Sequence, residues 1–161
     1  MQPDQDSQWP AGLAGYDRIM ARRDQQRGFD PGERTAIEPY IAADEPIVGR
    51  HFAVDVTVGE SSQVLHRQAV LLSTDRKLVM VTAKGTFRRK FDVHTFDYAN
   101  LKPGVGKSDS ELYGSPLWFA GFGTQSGTTY VLRFFNESER DEFVSDVGGA
   151  VGGWHIIHGN A

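Results

Sequence analysis

The sequence predicts a mainly β fold: a strongly bent, split barrel of about seven antiparallel strands, with a C-terminal α-helix as its cap and a helical extension before it. Three observations indicate it. Short apolar runs between Val64 and Leu101 are separated by tight polar or glycine turns, as in neighbouring β-hairpins. Most of the 18 glycines follow residue 58 and lie between such runs. An amphipathic segment follows the last run and needs an apolar face to cover.

Composition narrows the class of protein. A chain of 161 residues is long enough for one domain with a real core. The net charge of −4 argues against a nucleic-acid partner, since such proteins usually carry a basic stripe. The absence of cysteine excludes a disulfide framework and Cys-ligated zinc, and agrees with a reducing cytoplasm. No run reaches the ~20 apolar residues of a membrane span, and the polar N-terminus lacks the apolar core of a secretory signal.

Residues 1–32 are interpreted as a leader that is partly disordered and contains one amphipathic helix. Its apolar residues follow each other at spacings of four, three and four, which places them on one helix face: Trp9, Leu13, Tyr16 and Met20. This face has two interpretations. It packs on the chain's own domain, or it docks on a partner or a membrane surface with the help of nearby arginines.

Residues 33–153 form the predicted domain, and 154–161 a tail. The domain begins with a short helix, residues 33–43, that Pro39 breaks or kinks. A half-buried strand covers residues 47–58, with Phe52, Val54, Val56 and Val58 on one face. The second strand, residues 64–74, is apolar on both faces at its centre. A polar turn then leads into a third strand, residues 78–82.

The remaining strands are predicted at residues 86–93, in an aromatic and glycine-rich run at 111–123, and at 129–135. The pattern then changes to a helical period. Asn136 is a good N-cap, and Glu139 stands three positions later, as in a capping box. Phe143, Val147 and Val151 mark the apolar face of this last helix.

The run AVLLSTDRKLVMVTAKGTFRRKFDVHTFDYANL resembles the core of bacterial pleckstrin-homology-like (PH-like, GRAM-like) domains. The turn from Thr74 to Leu78 matches the family's polar turn, and residues 137–147 are similar to its C-terminal helix. The resemblance covers residues 45 to about 150, and it implies a PH-like barrel used for docking. Eukaryotic lipid-binding members of the wider superfold use a basic first hairpin to hold an inositol phosphate. Here residues 59–63 (GESSQ) contain no Lys or Arg, which argues against phosphoinositide binding by that route.

The aromatic run supplies the first candidate site. Trp118, Ala120 and Phe122 alternate with Leu117 and Phe119, so both faces of this strand are apolar. Only one face can meet the barrel core, and the other must be covered by the leader helix, a second subunit or a partner. Together with the leader stripe, the predicted partner-binding residues are therefore Trp9, Leu13, Tyr16, Met20, Tyr113, Leu117, Trp118, Phe119 and Phe122.

A basic cluster supplies the alternative site. Near an anionic membrane surface each basic side chain contributes ~1 kcal/mol. The same charges would also protect an edge strand from pairing with another chain. The candidate anion- or lipid-binding residues are Arg76, Lys77, Lys84, Arg88, Arg89 and Lys90.

Catalytic and metal-binding patterns are absent from the sequence. It contains no GxSxG, no GxxxxGK[ST] and no HExxH. His155 and His158 stand at i, i+3 in the tail without the further ligands that a metal needs. The sequence therefore predicts a cytoplasmic, non-enzymatic docking domain without cofactor or metal, which binds a protein partner or itself. The alternative is peripheral binding to anionic lipid at the inner face of the membrane.

Overall fold

A computed structural model describes residues 10–22, 32–58, 64–66, 68–85, 90–102, 106–108, 118–151 and 157–158. Its helices are α1 Gly12–Met20, α2 Gly32–Ile37 and α3 Glu137–Val151. Its strands are β1 Ile47–Ala53, β2 Asp55–Val58, β3 Val64–His66, β4 Ala69–Thr74, β5 Lys77–Lys84, β6 Lys90–Asp97, β7 Leu101–Lys102, β8 Gly106–Ser108, β9 Trp118–Thr124, β10 Thr129–Phe134 and β11 Ile157–His158.

The strands form two sheets. The first has the order β1-β4-β5-β6 and is antiparallel throughout. The second has the order β11-β8-β9-β10-β2-β3, with β7 also paired to β9. The described strands thus lie in two sheets, of four and seven strands. The predicted mainly β split barrel is therefore confirmed.

One bent strand joins the sheets. β1 pairs with β4 as far as Ala53, and β2 pairs with β10 from Asp55 onward. At the bend between them, the Val54 N–H donates to the Arg133 carbonyl oxygen at 2.7 Å. Ala53 and Val56 both belong to the barrel core, whereas Phe52 packs on the outer side of the first sheet. The predicted shared face of Phe52 and Val56 was therefore wrong, because the alternation changes phase at the bend.

The barrel core lies between the two sheets, and α3 closes one end. Phe143, Val144 and Val147 of α3 are buried in this core with residues of both sheets. The Asn136 side chain accepts the Glu139 N–H at 2.8 Å, which confirms the predicted N-cap. α3 continues through Gly148 and Gly149 to Val151.

A second apolar core covers the outside of the first sheet. Tyr16 and Ile19 of α1 and Ile37 of α2 are buried there, against outward-facing residues of the first sheet. Those sheet residues are Ile47, Phe52, Val70, Leu72, Val79 and Val81. Leu71, Leu78 and Met80 point the other way, into the barrel. The centre of β4 is thus buried on both faces, as the sequence predicts.

The segment around Pro39 and the tail complete the described structure. α2 ends at Ile37 and a 3-10 turn over Glu38–Tyr40 follows, so the predicted break at Pro39 is confirmed. Tyr40 is exposed and Ile41 is buried. The predicted tail contains β11, which pairs in parallel with β8.

Candidate docking surfaces

Two aromatic residues of β9 serve the fold itself. Phe122 is buried in the barrel core, where its ring stacks on Tyr130 with centroids 5.2 Å apart. Trp118 is half-buried beneath the Arg140 guanidinium of α3, whose central carbon lies 4.7 Å from the ring centroid. Such cation–π contact holds the indole against the closing helix. The structure therefore places both predicted partner-binding residues in contacts within the chain.

Phe119 lies on the other face of β9, as the alternation predicts. It pairs across the strands with Arg133, and Gly121 pairs with Val131. Phe119 and Val131 are half-buried, and Phe135, which follows β10 directly, is 56% exposed. We call Phe119, Val131 and Phe135 the outer strip. It carries the most exposed large apolar side chain of the described residues.

The neighbour of the outer strip is an ion pair. Arg133 donates two hydrogen bonds to the Asp55 carboxylate on the adjacent strand β2. The pair is largely buried, with 14% and 11% of the two side chains exposed. The guanidinium beside Phe119 is thus fixed in orientation and matched by a carboxylate.

The leader stripe packs within the chain. Tyr16 is buried in the outer core of the first sheet, and Leu13 and Met20 are partly buried against it. α1 therefore covers the first sheet and not the aromatic strand. The role of these residues in binding a partner stays a prediction.

A buried polar network holds the leader in place. The Arg50 guanidinium of β1 donates to both oxygens of Glu33 in α2, at 2.9 and 3.1 Å, and the Tyr16 hydroxyl donates to the same carboxylate. Both charged side chains are 1% exposed. Burial, and then the hydrogen bond to Glu33, raise the pKa of Tyr16. α1, α2 and β1 thus meet at one carboxylate.

The predicted basic residues divide into two groups at opposite ends of β5, about 20 Å apart along the strand. At one end, Arg76 pairs with Asp44 and Lys77 with the buried Glu45, both at 3.0 Å. At the other end, Lys84 pairs with Asp92 at 3.0 Å and stands directly opposite Lys90. Arg76 and Lys77 therefore lie apart from Lys84 and Lys90, and binding of an anion or lipid by these residues stays a prediction. Trp9, Arg88, Arg89, Tyr113, Leu117 and His155 lie outside the described residues.

A polar cleft that the sequence analysis missed lies between α1, β1 and α3. It encloses about 290 Å³ and is lined in part by Gly49, His51, Glu142 and Asp146. The His51 ring nitrogen Nε2 lies 2.8 Å from Asp146, and the Phe143 ring packs on the imidazole edge-on at 5.6 Å. Because His51 is buried, this contact fastens α3 to β1.

Glycine 49 makes the cleft possible. A Cβ there would lie 2.9 Å from His51 Nε2 and 2.9 Å from the Ser73 hydroxyl oxygen, and would collide with the Asp146 carboxylate. The Glu139 side chain, predicted to close a capping box, accepts the Phe52 N–H of β1 at 3.3 Å. The arrangement orients α3 against β1.

Within the described part of the chain, no three His, Asp or Glu side chains come close enough together to hold a metal ion. None of its helices has the length and apolar character to cross a membrane.

Comparison with known proteins finds structural likeness alone. No protein-family model matches the chain, and no curated protein sequence matches it. The hSac2 domain from the human phosphoinositide phosphatase Sac2 superposes with a TM-score of 0.56 at 14% identity, over 87% of this chain and 93% of that one. Vav1 with an allosteric inhibitor superposes with a TM-score of 0.50 at 13% identity, over 66% of this chain. The matched part spans only 27% of the Vav1 chain.

The chain therefore shares its overall fold with these two proteins. At these identities the likeness extends to the fold alone and carries no function with it. Membership of the bacterial, GRAM-like family stays a prediction from the sequence.

Proposed function

We propose that the chain is a non-catalytic docking domain that binds a protein partner through the outer strip, Phe119, Val131 and Phe135. The observation that carries this proposal is the uneven cover of the two sheets. The central strands of the first sheet, β4 and β5, are buried on both faces by the chain itself, with Val70 and Leu72 facing the helices and Leu71 facing the barrel.

The two faces of the second sheet differ in what packs against them. Its inner face packs on α3, where the Phe134 and Phe143 ring centroids are 5.4 Å apart. Its outer face carries the outer strip, and α1 and α2 lie on the other sheet. Exposed apolar surface of this kind is typical of interaction sites, and aromatic side chains supply most of the binding free energy in many of them.

The chemistry of the strip favours a protein over a charged ligand. Because Asp55 neutralises Arg133, the charged group beside Phe119 offers no net charge to a phosphate or an anionic membrane. Gly121, which pairs with Val131, adds no side chain to this part of the face. We infer a partner segment with apolar side chains that lies across β9 and β10 and packs on Phe135.

The test compares two exposed aromatic residues on different surfaces. Phe135→Asp alters the strip, and Tyr40→Asp is the matched control, since Tyr40 is 42% exposed beside the first sheet. A partner recovered by affinity capture with the wild-type chain is then purified and titrated by calorimetry. We expect Phe135→Asp to weaken binding about tenfold or more and Tyr40→Asp to leave it unchanged.

Phe119→Asp provides a second reading at the strip, and thermal unfolding of each variant reports whether it is folded. The same variants are examined by light scattering, because a second copy of the chain is one protein partner that the strip could bind. If folded Phe135→Asp and Phe119→Asp chains bind the partner as the wild type does and keep its oligomeric state, the proposal is wrong.

A second candidate function, binding to anionic lipid, has one observation in its favour. Lys84 and Lys90 stand opposite each other at the end of the β5–β6 hairpin, and both are exposed. Like charges so placed repel each other unless an anion lies between them. Asp92 pairs with Lys84 at 3.0 Å.

Flotation with vesicles of phosphatidylcholine and phosphatidylserine tests this candidate. Salt-sensitive flotation that Lys84→Glu and Lys90→Glu abolish would support it, since surface charges are screened by salt. Absence of flotation at low salt, or flotation that these changes leave intact, would eliminate it.

A further inference from the structure

We infer that the outer edge of β8 is a strand-acceptor site, which the C-terminal tail occupies in cis and which the same tail of a second copy can occupy in trans. This inference concerns main-chain pairing of β8 with β11. It does not rest on the proposed function, which uses side chains of the outer strip.

The pairing of β8 on its two sides is the starting observation. On one side it is antiparallel to β9, where Lys107 pairs with Ala120 and Ser108 with Phe119. On the other side β11 lies parallel to it, where Ile157 pairs with Gly106 and His158 with Lys107. Without β11, β8 would be the end of the second sheet. The tail thus shows that this edge accepts an extended segment, and in which direction.

The two edge strands of the first sheet, β1 and β6, are protected from pairing with another strand by contacts with the helices. At β1, the Glu139 carboxylate of α3 accepts the Phe52 N–H. At β6, α2 packs alongside, so that Gly32 lies against the Phe91 ring. At β8 the described protection is a strand from the tail. An edge of unpaired main-chain groups pairs with any suitable strand, and such pairing depends little on side chains.

The short pairing between β11 and β8 allows the tail of one copy of the chain to be replaced by the tail of another. It consists of two residue pairs, in the parallel arrangement that is less stable per residue than the antiparallel one. β11 follows the end of α3 at Val151 after a short connecting segment, so its departure need not disturb the barrel core. A second copy carries the same residues and can form the same ladder, as in exchange of identical elements between protomers.

The experiment uses the full-length chain and a fluorescent peptide with the sequence of residues 153–160, GWHIIHGN. In one variant, Ile157→Pro combined with His158→Pro removes both N–H groups of the tail strand, which frees the edge without shortening the chain. We expect the peptide to bind this variant about tenfold or more tightly than it binds the wild-type chain, because the tethered wild-type tail competes at a high effective concentration.

Three controls define the outcome. A peptide with the same two prolines should not bind, a Phe135→Asp change added to the variant should leave peptide binding unchanged, and thermal unfolding should show that the variant is folded. Equal affinity of the peptide for wild type and variant, absence of binding to the folded variant, or binding by the proline peptide would each overturn the inference. Because Phe135→Asp is scored separately, failure here is distinguishable from failure of the proposed docking function.

Discussion

Glu33 and Arg34 are neighbours in α2, yet Glu33 forms a buried ion pair and Arg34 an exposed one. Burial decides how much the loss of an ion pair costs in stability. Glu33 is fully buried against Arg50 and Tyr16, whereas the Arg34–Asp17 pair is about half exposed on both sides. An exposed pair gains little because water screens it, whereas removal of one buried partner leaves a charge without compensation.

The first prediction follows from this difference. Glu33→Gln should lower the free energy of unfolding by about 3–5 kcal/mol, since it removes the charge that the buried Arg50 guanidinium meets at Glu33. Arg34→Ala, one residue away on the same helix, should change it by less than about 1 kcal/mol. Chemical denaturation of the two variants measures both. Equal losses would show that the buried carboxylate has no special part in holding the leader.

Glu45 gives a prediction about pH. Burial raises the pKa of this carboxyl, but hydrogen bonds from the Thr74 hydroxyl, the Ala42 N–H and the Lys77 ammonium outweigh it, so the pKa is lowered overall. A carboxyl with a lowered folded-state pKa stabilises the fold above its unfolded pKa of about 4.5. This stabilisation is lost as the pH falls through the folded-state value.

Glu45→Gln should therefore cost about 1–2 kcal/mol at pH 7, where it loses the charge that Lys77 meets. The difference from the wild type should shrink as the pH is lowered below about 4, because the wild-type carboxyl then becomes neutral as well. Urea denaturation of both chains between pH 7 and pH 3 measures this. A difference that stays constant over that range would contradict the assigned role of the charge.

At the scale of elements, α1 is a cover for one sheet. Ile19 is buried in the outer core of the first sheet, whereas Ala14 of the same helix is exposed. Ile19→Asp should cost about 2–4 kcal/mol, because it removes a buried apolar side chain and places a charge against β-sheet. It should also increase binding of a hydrophobic dye.

Ala14→Asp is the matched control for that change. It lowers helix propensity by less than about 1 kcal/mol without exposing the sheet. Denaturation curves and dye fluorescence of the two variants are compared. If both lose the same stability, the helix is held by its polar network rather than by its apolar face.

The sequence predicts those elements that local pattern determines. The hairpins β4–β5 and β5–β6 follow from apolar runs and turn residues, and Asn136 was recognisable as an N-cap because the cap and its partner lie three residues apart. The contacts that form the polar network and the cleft join residues too far apart in the sequence for such patterns to reveal. Glu33 and Arg50 are 17 positions apart, and His51 and Asp146 are 95 apart. Only the tertiary fold brings those groups together.

The leader shows how far a periodic pattern extends. The spacing of Leu13, Tyr16 and Met20 predicts a helix face correctly, and the structure contains that helix as α1. Periodicity does not say which surface the face will meet, since any apolar surface satisfies it. α1 packs on the first sheet and not on the aromatic strand, because the contacts among Tyr16, Glu33 and Arg50 fix α1 beside β1.

At the scale of the whole molecule, the bend at Val54 joins the two sheets. Val54→Pro should lower the free energy of unfolding by about 3 kcal/mol, because it removes the N–H that donates to Arg133 where the strand changes sheets. Val54→Ala keeps that donor and is the control. We expect near-ultraviolet and far-ultraviolet circular dichroism to report one coincident transition in Val54→Ala.

In Val54→Pro the two transitions should separate, because the two sheets no longer share a continuous strand. Coincident transitions in the proline variant, at the midpoint of the alanine variant, would show that the bend does not couple the sheets.

That bent strand also sets an order of events during synthesis. The first sheet needs only partners close in the chain, since β4, β5 and β6 follow one another directly. β2 must wait for β10, because Val56 pairs with Leu132, about 75 positions later, and such distant pairings form slowly. As the nascent chain leaves the ribosome, the leader and the first sheet can therefore assemble while β2 still has an unpaired edge. The interval before β10 emerges is the period when this chain most needs a chaperone.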